Sequence, residues 1–254
     1  MTTSRLIQLT VVAAAVLSLA VCGGSSTTTS PTSPTTTTTT TGTTSGSLPA
    51  IYSKFGNGVH VSLDGQTVVI GTTDIPDHPS PYFGVGNANY EAPQAGMVVN
   101  PNKIAAQSIT FRIPVSPARA SPSDTPLGAM GIATNGVTLF NQYAAGRVPL
   151  TSEILSFDRH NGHPTPQNEY HYHVEPLWLT AKGKAVFVGV LLDGFPVYGP
   201  QDDGGTTPTN LDGCNGHVGT TADFPAGIYH YHITSAPPYT AGCFYGTPGT
   251  VTGG

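Results

Sequence analysis

From Leu48 onward the apolar residues come in short runs broken by Gly, Pro, Asn and Asp, a spacing that predicts strands rather than helices. The clearest case is Val59-His60-Val61-Ser62-Leu63, then Asp64-Gly65, then Gln66-Thr67-Val68-Val69-Ile70. Asp-Gly between two alternating runs predicts a tight β-hairpin, with His60 on its edge or surface. Residues 73–93 are polar and punctuated by Pro76, Pro79, Pro81 and Pro93, which predicts a long loop with His78 as an ordinary loop residue. Residues 108–115 predict a strand ending at Pro114, and the Ser/Pro-rich stretch 116–126 predicts a loop. Residues 176–179, 185–192 and 195–198 are apolar and strand-like, with Trp178 expected to seal the core behind a histidine pair. Thr151-Ser152-Glu153-Ile154-Leu155 reads as one or two helical turns capped by Thr151 or Ser152. The fold class that follows is mainly β: a single domain of short strands and long structured loops.

The pattern also repeats. Ile132 to Phe140, centred on Asn135-Gly136, has the shape of Val190 to Tyr198, centred on Asp193-Gly194. Asp158-Arg159-His160-Asn161-Gly162-His163 and Asp212-Gly213-Cys214-Asn215-Gly216-His217 share the frame Asp-x-x-Asn-Gly-His. Tyr170-His171-Tyr172-His173 returns as Tyr229-His230-Tyr231-His232. The blocks keep one order, with Gly136 and Gly194, Asp158 and Asp212, and Tyr170 and Tyr229 lying 58, 54 and 59 residues apart. This predicts an internal duplication, with units at about residues 127–176 and 186–235, neither of which buries its apolar face alone. Asn161-Gly162 and Asn215-Gly216 read primarily as turn formers.

Residues 1–22 form a secretory signal: one basic residue, Arg5, an apolar run from Leu6 to Val21, then Cys22. Leu19-Ala20-Val21-Cys22 resembles a bacterial lipobox, which predicts lipid anchoring to the membrane at Cys22, with ordinary cleavage after Ala20 as the rival. Residues 23–48 are nearly all Thr, Ser, Gly and Pro and lack the apolar side chains that would offset ordering, so they predict a disordered linker. Residues 49–254 then form the β domain, placed outside the cytoplasm on the cell envelope or secreted.

Composition narrows the function. With 9 Lys plus Arg against 14 Asp plus Glu, a basic groove for nucleic acid is excluded. No phosphate-cradling loop, dinucleotide fingerprint or Gly-x-Ser-x-Gly elbow occurs. With Cys22 assigned to the anchor, Cys214 and Cys243 remain as a disulfide, as an oxidising compartment allows.

Chemistry concentrates in the histidines. In a strand, His-x-His puts two imidazoles on one face and the intervening Tyr on the other. His163, His171, His173, His217, His230 and His232 occupy equivalent places, three per copy, and are the candidate metal ligands. An all-imidazole set suits copper or zinc better than magnesium or calcium. Pairing of the repeats about a pseudo-twofold axis would bring His171 and His173 opposite His230 and His232 at one shared centre. Asp158 and Asp212 are expected to hold ligand imidazoles by their second nitrogen. Asp158, Asp193 and Asp212 are also the candidate catalytic carboxylates, and Asp202-Asp203 reads as solvated loop. Three functions follow: a metal-binding protein, a metal-dependent hydrolase or oxidase on the same site, or a surface recognition module in which the histidines are braces and tyrosines such as Tyr198, Tyr239 and Tyr245 meet a protein or glycan.

The twin tetrads, the Asn-Gly-His turns and the run Leu192-Asp193-Gly194-Phe195-Pro196-Val197-Tyr198-Gly199-Pro200 resemble the YHYH domain family of extracytoplasmic bacterial and some eukaryotic proteins. The resemblance is close over residues 127–246 and extends over the region after Leu48. It implies an extracytoplasmic location and carries no catalytic residues with it.

Overall fold

The computed structural model describes residues 47–254. The signal, the lipobox and nearly all of the linker lie outside the described residues. What is described is mainly β, and among these residues no helix is long and apolar enough to cross a membrane.

Strands β1 (His60–Asp64) and β2 (Thr67–Thr72) form the expected hairpin, with Asp64 opposite Thr67 and Gly65 in the turn at φ 60°. Strand β3 (Ile109–Pro114) adds to β2, and the C-terminal strand β16 (Thr250–Thr252) closes this four-stranded sheet. β2 and β3 alternate in burial, so Val68, Ile70, Ile109, Phe111 and Ile113 enter the core.

The second sheet carries the duplication. It contains β5 (Ala129–Ala133), β6 (Thr138–Phe140), β9 (Gly162–Pro164), β10 (Tyr170–Tyr172), β11 (Phe187–Leu191), β12 (Pro196–Tyr198), β13 (Gly216–Thr221) and β14 (Phe224–His232). Their spatial order is β13-β14-β12-β11-β5-β6-β10-β9. Read outward from its middle, each half repeats one sequence of pairings: β5-β6-β10-β9 on one side, β11-β12-β14-β13 on the other. Within each half the tetrad strand pairs parallel with the second strand and antiparallel with the Asn-Gly-His strand. The halves join through antiparallel β5 and β11, where Ile132 faces its own counterpart Val190. That pair marks the local pseudo-twofold. On either side of it sit Gly131 and Gly189, where an added Cβ would collide with the Val190 and Ile132 carbonyl oxygens. Close contact between the central strands thus explains both glycines.

Two expectations are corrected. Residues 119–124 are not loop but strand β4 (Arg119–Asp124), paired with β15 (Cys243–Gly246). The sequence Arg-Ala-Ser-Pro-Ser-Asp carries no apolar alternation, and the strand is largely exposed. Its conformation comes from its partner rather than from propensity. Residues 176–179 are not strand: Pro176 precedes a single helical turn, α1 (Leu177–Thr180), with Leu179 buried and Leu177 exposed. Trp178 on that turn packs edge-on to His160 and near His78, away from the tetrad imidazoles. The predicted helical turn near Thr151 is a 3-10 turn at Glu153–Ser156. A two-residue ladder, β7 (Tyr143–Ala144) with β8 (Val148–Pro149), precedes it.

The Cys214–Cys243 disulfide forms as expected, with the two residues 29 apart in sequence. Closing a loop of that length stabilises by about 3 to 4 kcal/mol in the chain-entropy account. In the first half His160 stands where the second has Cys214, and its ring lies 4.3 Å from that of His78.

Candidate metal centres

The tetrads lie near opposite edges of the eight-stranded sheet, with β12, β11, β5 and β6 between β14 and β10. Five strand spacings amount to roughly 24 Å along the sheet. A single shared centre is therefore ruled out. The pseudo-twofold runs through the middle of the sheet and carries the histidines outward instead of together.

Each half gathers its own three histidines and adds a carboxylate. Glu153, His163, His171 and His173 form one cluster, and Asp202, His217, His230 and His232 the other. In each, one donor atom per residue lies within 4.8 Å of every other. The strand register is the reason. His171 pairs directly with His163 and His230 with His217, so the cross-strand partner and the second histidine of the tetrad share one face.

The hydrogen bonds fix which nitrogen is free. His171 Nδ1 faces the Glu169 carbonyl at 3.2 Å, and His173 Nδ1 faces the Asn141 carbonyl. In the other half His230 Nδ1 faces the Ile228 carbonyl at 3.1 Å and His232 Nδ1 the Gly199 carbonyl at 2.8 Å. A carbonyl only accepts, so each of these Nδ1 atoms carries the proton and each Nε2 presents a lone pair. Ser156 Oγ donates to the Glu153 carbonyl and so accepts from His163 Nδ1 at 2.7 Å. That leaves the buried Nε2 of His163 with no aligned hydrogen-bond partner, its nearest polar neighbour being Glu153 Oε1 at 3.2 Å. His217 Nδ1 is held by Asn210 Oδ1 at 2.9 Å.

The lone pairs converge. His171 and His173 Nε2 are 3.0 Å apart, and Glu153 Oε1 lies 3.2 Å from His163 Nε2. In the second cluster His217 Nε2 lies 3.0 Å from His230 Nε2 and 3.2 Å from His232 Nε2. Asp202 Oδ1 is 3.3, 3.8 and 3.2 Å from the Nε2 atoms of His217, His230 and His232. Donors around a tetrahedral ion with bonds of about 2.0 to 2.1 Å stand roughly 3.3 Å apart, a value the distances above bracket, while the remaining donor pairs lie within 4.8 Å. Unprotonated nitrogens this close repel one another without a cation between them. Burial works against a proton as that cation at the four tetrad imidazoles. Burial pushes the His171 imidazole well below its ordinary range and the His173 imidazole down to about 4, and burial likewise lowers His230 and His232.

The aspartates do something else. Asp158 and Asp212 were expected to steady ligand imidazoles, and they bind no imidazole. Tyr170 donates to Asp158 Oδ2 at 2.8 Å and Tyr229 donates to both Asp212 oxygens at 3.0 and 3.1 Å. Asp158 Oδ1 also accepts from the amides of His160 and Gly162, and Asp212 Oδ1 from those of Cys214 and Gly216. Each aspartate ties its Asn-Gly-His turn to the first tyrosine of its tetrad. Asp193, the third candidate catalytic carboxylate, is fully buried and accepts from Tyr231 and from the amides of Phe195, Tyr245 and Gly246. The tyrosines and aspartates are thus the braces, and none of these three carboxylates belongs to a donor cluster.

Asn161 and Asn215 hold positive φ, of 67° and 76°, so it is Asn that makes each turn. Gly162 and Gly216 are glycine for a different reason, because a Cβ at either would run into the Tyr170 or Tyr229 ring. His60 is exposed, as expected. His78 is not an ordinary loop residue: it is buried and its Nε2 accepts from the Tyr172 hydroxyl at 2.8 Å. Two of the three tyrosines proposed for recognition are poorly placed for it, since Tyr198 is buried and bonded to Thr221 and Asp223 and Tyr245 stacks on Tyr229 at 3.5 Å, whereas Tyr239 is half-buried and lines a cavity of about 260 Å³.

Glu153 and Asp202 were missed as candidate ligands. A signal existed: each lies in the connection between the second strand block and the Asn-Gly-His block of its copy, and Glu153 is the only acidic residue between Phe140 and Asp158.

The buried imidazoles set an acid limit on stability. Burial, then the charge of His78, depresses His160 to about 4, and His173 sits at about 4 as well. Unfolded histidine titrates near 6.5, so the unfolded chain takes up more protons between about pH 6.5 and 4. Stability is present above that window and is lost as the pH falls through it. Burial shifts the carboxyls of Asp74 and Glu169 upward, which works the other way. A His160→Gln variant isolates one imidazole. In chelator-treated protein its urea midpoint will fall less steeply between pH 6.5 and 4 than that of the parent chain, and parallel profiles would contradict the assignment.

The family model described as "YHYH protein" matches residues 110–208 and 201–246, which include all six histidines and both carboxylates. No curated protein and no solved structure matches the chain.

Proposed function

Because the chain belongs to the YHYH protein family, whose matched segments hold both donor clusters, we propose that it is a metal-binding protein with two separate centres, one per repeat. The observation that carries this is the convergence, made twice, of three imidazole Nε2 lone pairs and one carboxylate oxygen. Three borderline nitrogen donors with one oxygen suit zinc or copper(II), and are too nitrogen-rich for calcium or magnesium. Glu153, His163, His171 and His173 would hold one ion, and Asp202, His217, His230 and His232 the other. A bound ion would act there as a Lewis acid. The protein contributes the pre-set tautomers: each backbone carbonyl that takes an Nδ1 proton aims the opposite nitrogen and raises its basicity.

The disulfide fits an oxidising compartment. We place the domain outside the cytoplasm, tethered to the membrane through a lipid on Cys22 and held clear of it by the Thr/Ser-rich segment. The test is stoichiometry. Protein stripped with chelator, loaded with Zn(II) or Cu(II) and desalted will carry two equivalents per chain by elemental analysis. A content below about 0.1 equivalent for both metals would overturn the proposal, since a preformed buried donor set binds its ion tightly.

A further inference from the structure

The two centres differ in the space beside their donors. All four donors of the first cluster line one cavity of about 560 Å³, within the size range of small-molecule sites. The buried Nε2 of His163, with no aligned hydrogen-bond partner, belongs to a side chain of that wall. In the second half Asp202, His230 and His232 border a depression whose accessible volume is about 0 Å³, yet His217 and Asp202 are both partly exposed, so what this centre lacks is a cavity and not access to solvent. There Tyr198 and Thr221, joined by a 2.9 Å hydrogen bond, fill the wall beside the imidazoles. The first-half counterpart of Tyr198 is Phe140, which stacks on His171 at 3.9 Å and lines the cavity without a hydroxyl to anchor it elsewhere.

The cavity wall also defines its occupant. Neither Lys nor Arg lines it, and Glu153 is the only carboxylate. Leu127, Phe140, Tyr143 and Ala144 make it mostly apolar, with Asn102 and Gln167 as amide edges. Building on the metal reading above, we propose that the first centre, and not the second, takes up an external uncharged molecule with a nitrogen or oxygen end that coordinates the metal as a fifth ligand beside the four protein donors and an apolar body that fills the cavity. The duplication would thus have given one centre a ligand cavity and left the other near the surface without one.

The probes are imidazole and 4-phenylimidazole, which share a coordinating head and differ in the apolar body. Two variants of the full chain are loaded with Co(II): His230→Ala/His232→Ala, which keeps the first centre, and His171→Ala/His173→Ala, which keeps the second. On the first-centre protein 4-phenylimidazole will shift the visible spectrum saturably, at a concentration at least tenfold below that needed with imidazole. On the second-centre protein the phenyl group will give no such gain. Ala145→Trp, at the cavity wall, will leave Co(II) content unchanged and abolish the tenfold gain while sparing the imidazole response. Equal gains at the two centres, or no shift on a first-centre protein that holds Co(II), overturn the ligand proposal and leave two-centre metal binding standing. Failure of both variants to hold Co(II) overturns the two together.

Discussion

On the two-centre proposal, replacing His171 and His173 by alanine will remove one of two metal equivalents, and replacing His230 and His232 will remove the other. Each change takes away two of four donors, a larger loss than the outer partners whose removal already weakens metal binding by about 10- to 100-fold. The remaining centre will keep its affinity within about twofold, because the tetrads are separated by four strands and share no ligand. Isothermal titration with Zn(II), backed by elemental analysis, reads both numbers. A pair of histidine replacements that abolished both equivalents in a folded protein would restore the shared centre that the strand order excludes. The carboxylates supply a finer test of the same geometry. Glu153→Gln and Asp202→Asn keep the size of the side chain and remove its charge, so each will weaken its own centre and leave the other alone.

Much of this was legible in the residues. The doubled Tyr-His-Tyr-His, with its Asp-x-x-Asn-Gly-His companion, announced three equivalent imidazoles per copy, because alternation along a strand leaves His171 and His173 no choice but one face. Where the copies sit was not legible. Sequence spacing orders the blocks along the chain but does not say that β10 and β14 pair parallel to β6 and β12 and so end up near the outer edges of the sheet. The shared centre failed on that point of topology. Glu153 and Asp202 were hidden for a related reason. They reach their clusters from connections of unequal length, and no local periodicity marks a single acid as a ligand. Asp158 and Asp212 misled in the opposite way. Their fixed distance from His163 and His217 reflects an Asx-type turn that collects amides and a tyrosine hydroxyl, a structural role that sequence spacing alone cannot tell from a second ligand shell. Strand β4 was invisible because its partner, not its own side chains, makes it a strand.

The glycines separate what holds one centre from what holds both. Gly162→Ala would press a methyl into the Tyr170 ring and break the Tyr170–Asp158 bond that ties the His163 turn to the His171 strand. Overpacking of this kind costs about 1 to 3 kcal/mol, and the damage is local to the first half, so the first metal equivalent will weaken while the second persists. Gly189→Ala acts elsewhere. Its methyl would meet the Ile132 carbonyl in the central strand pair, where backbone cannot rotate away as a side chain can. A loss of about 3 kcal/mol or more is expected, at or beyond the upper end of the range for added volume. Since β5 and β11 are the only strands of the large sheet that join the two repeats, both equivalents will be lost with the same urea midpoint. Gly71→Ala is the control: it lies in β2 with open space where its methyl would go and should change stability by less than about 1 kcal/mol. Should Gly189→Ala release only one equivalent, the halves would be folding and holding metal independently, and the pairing of Ile132 with Val190 would not be the joint on which the duplicated domain depends.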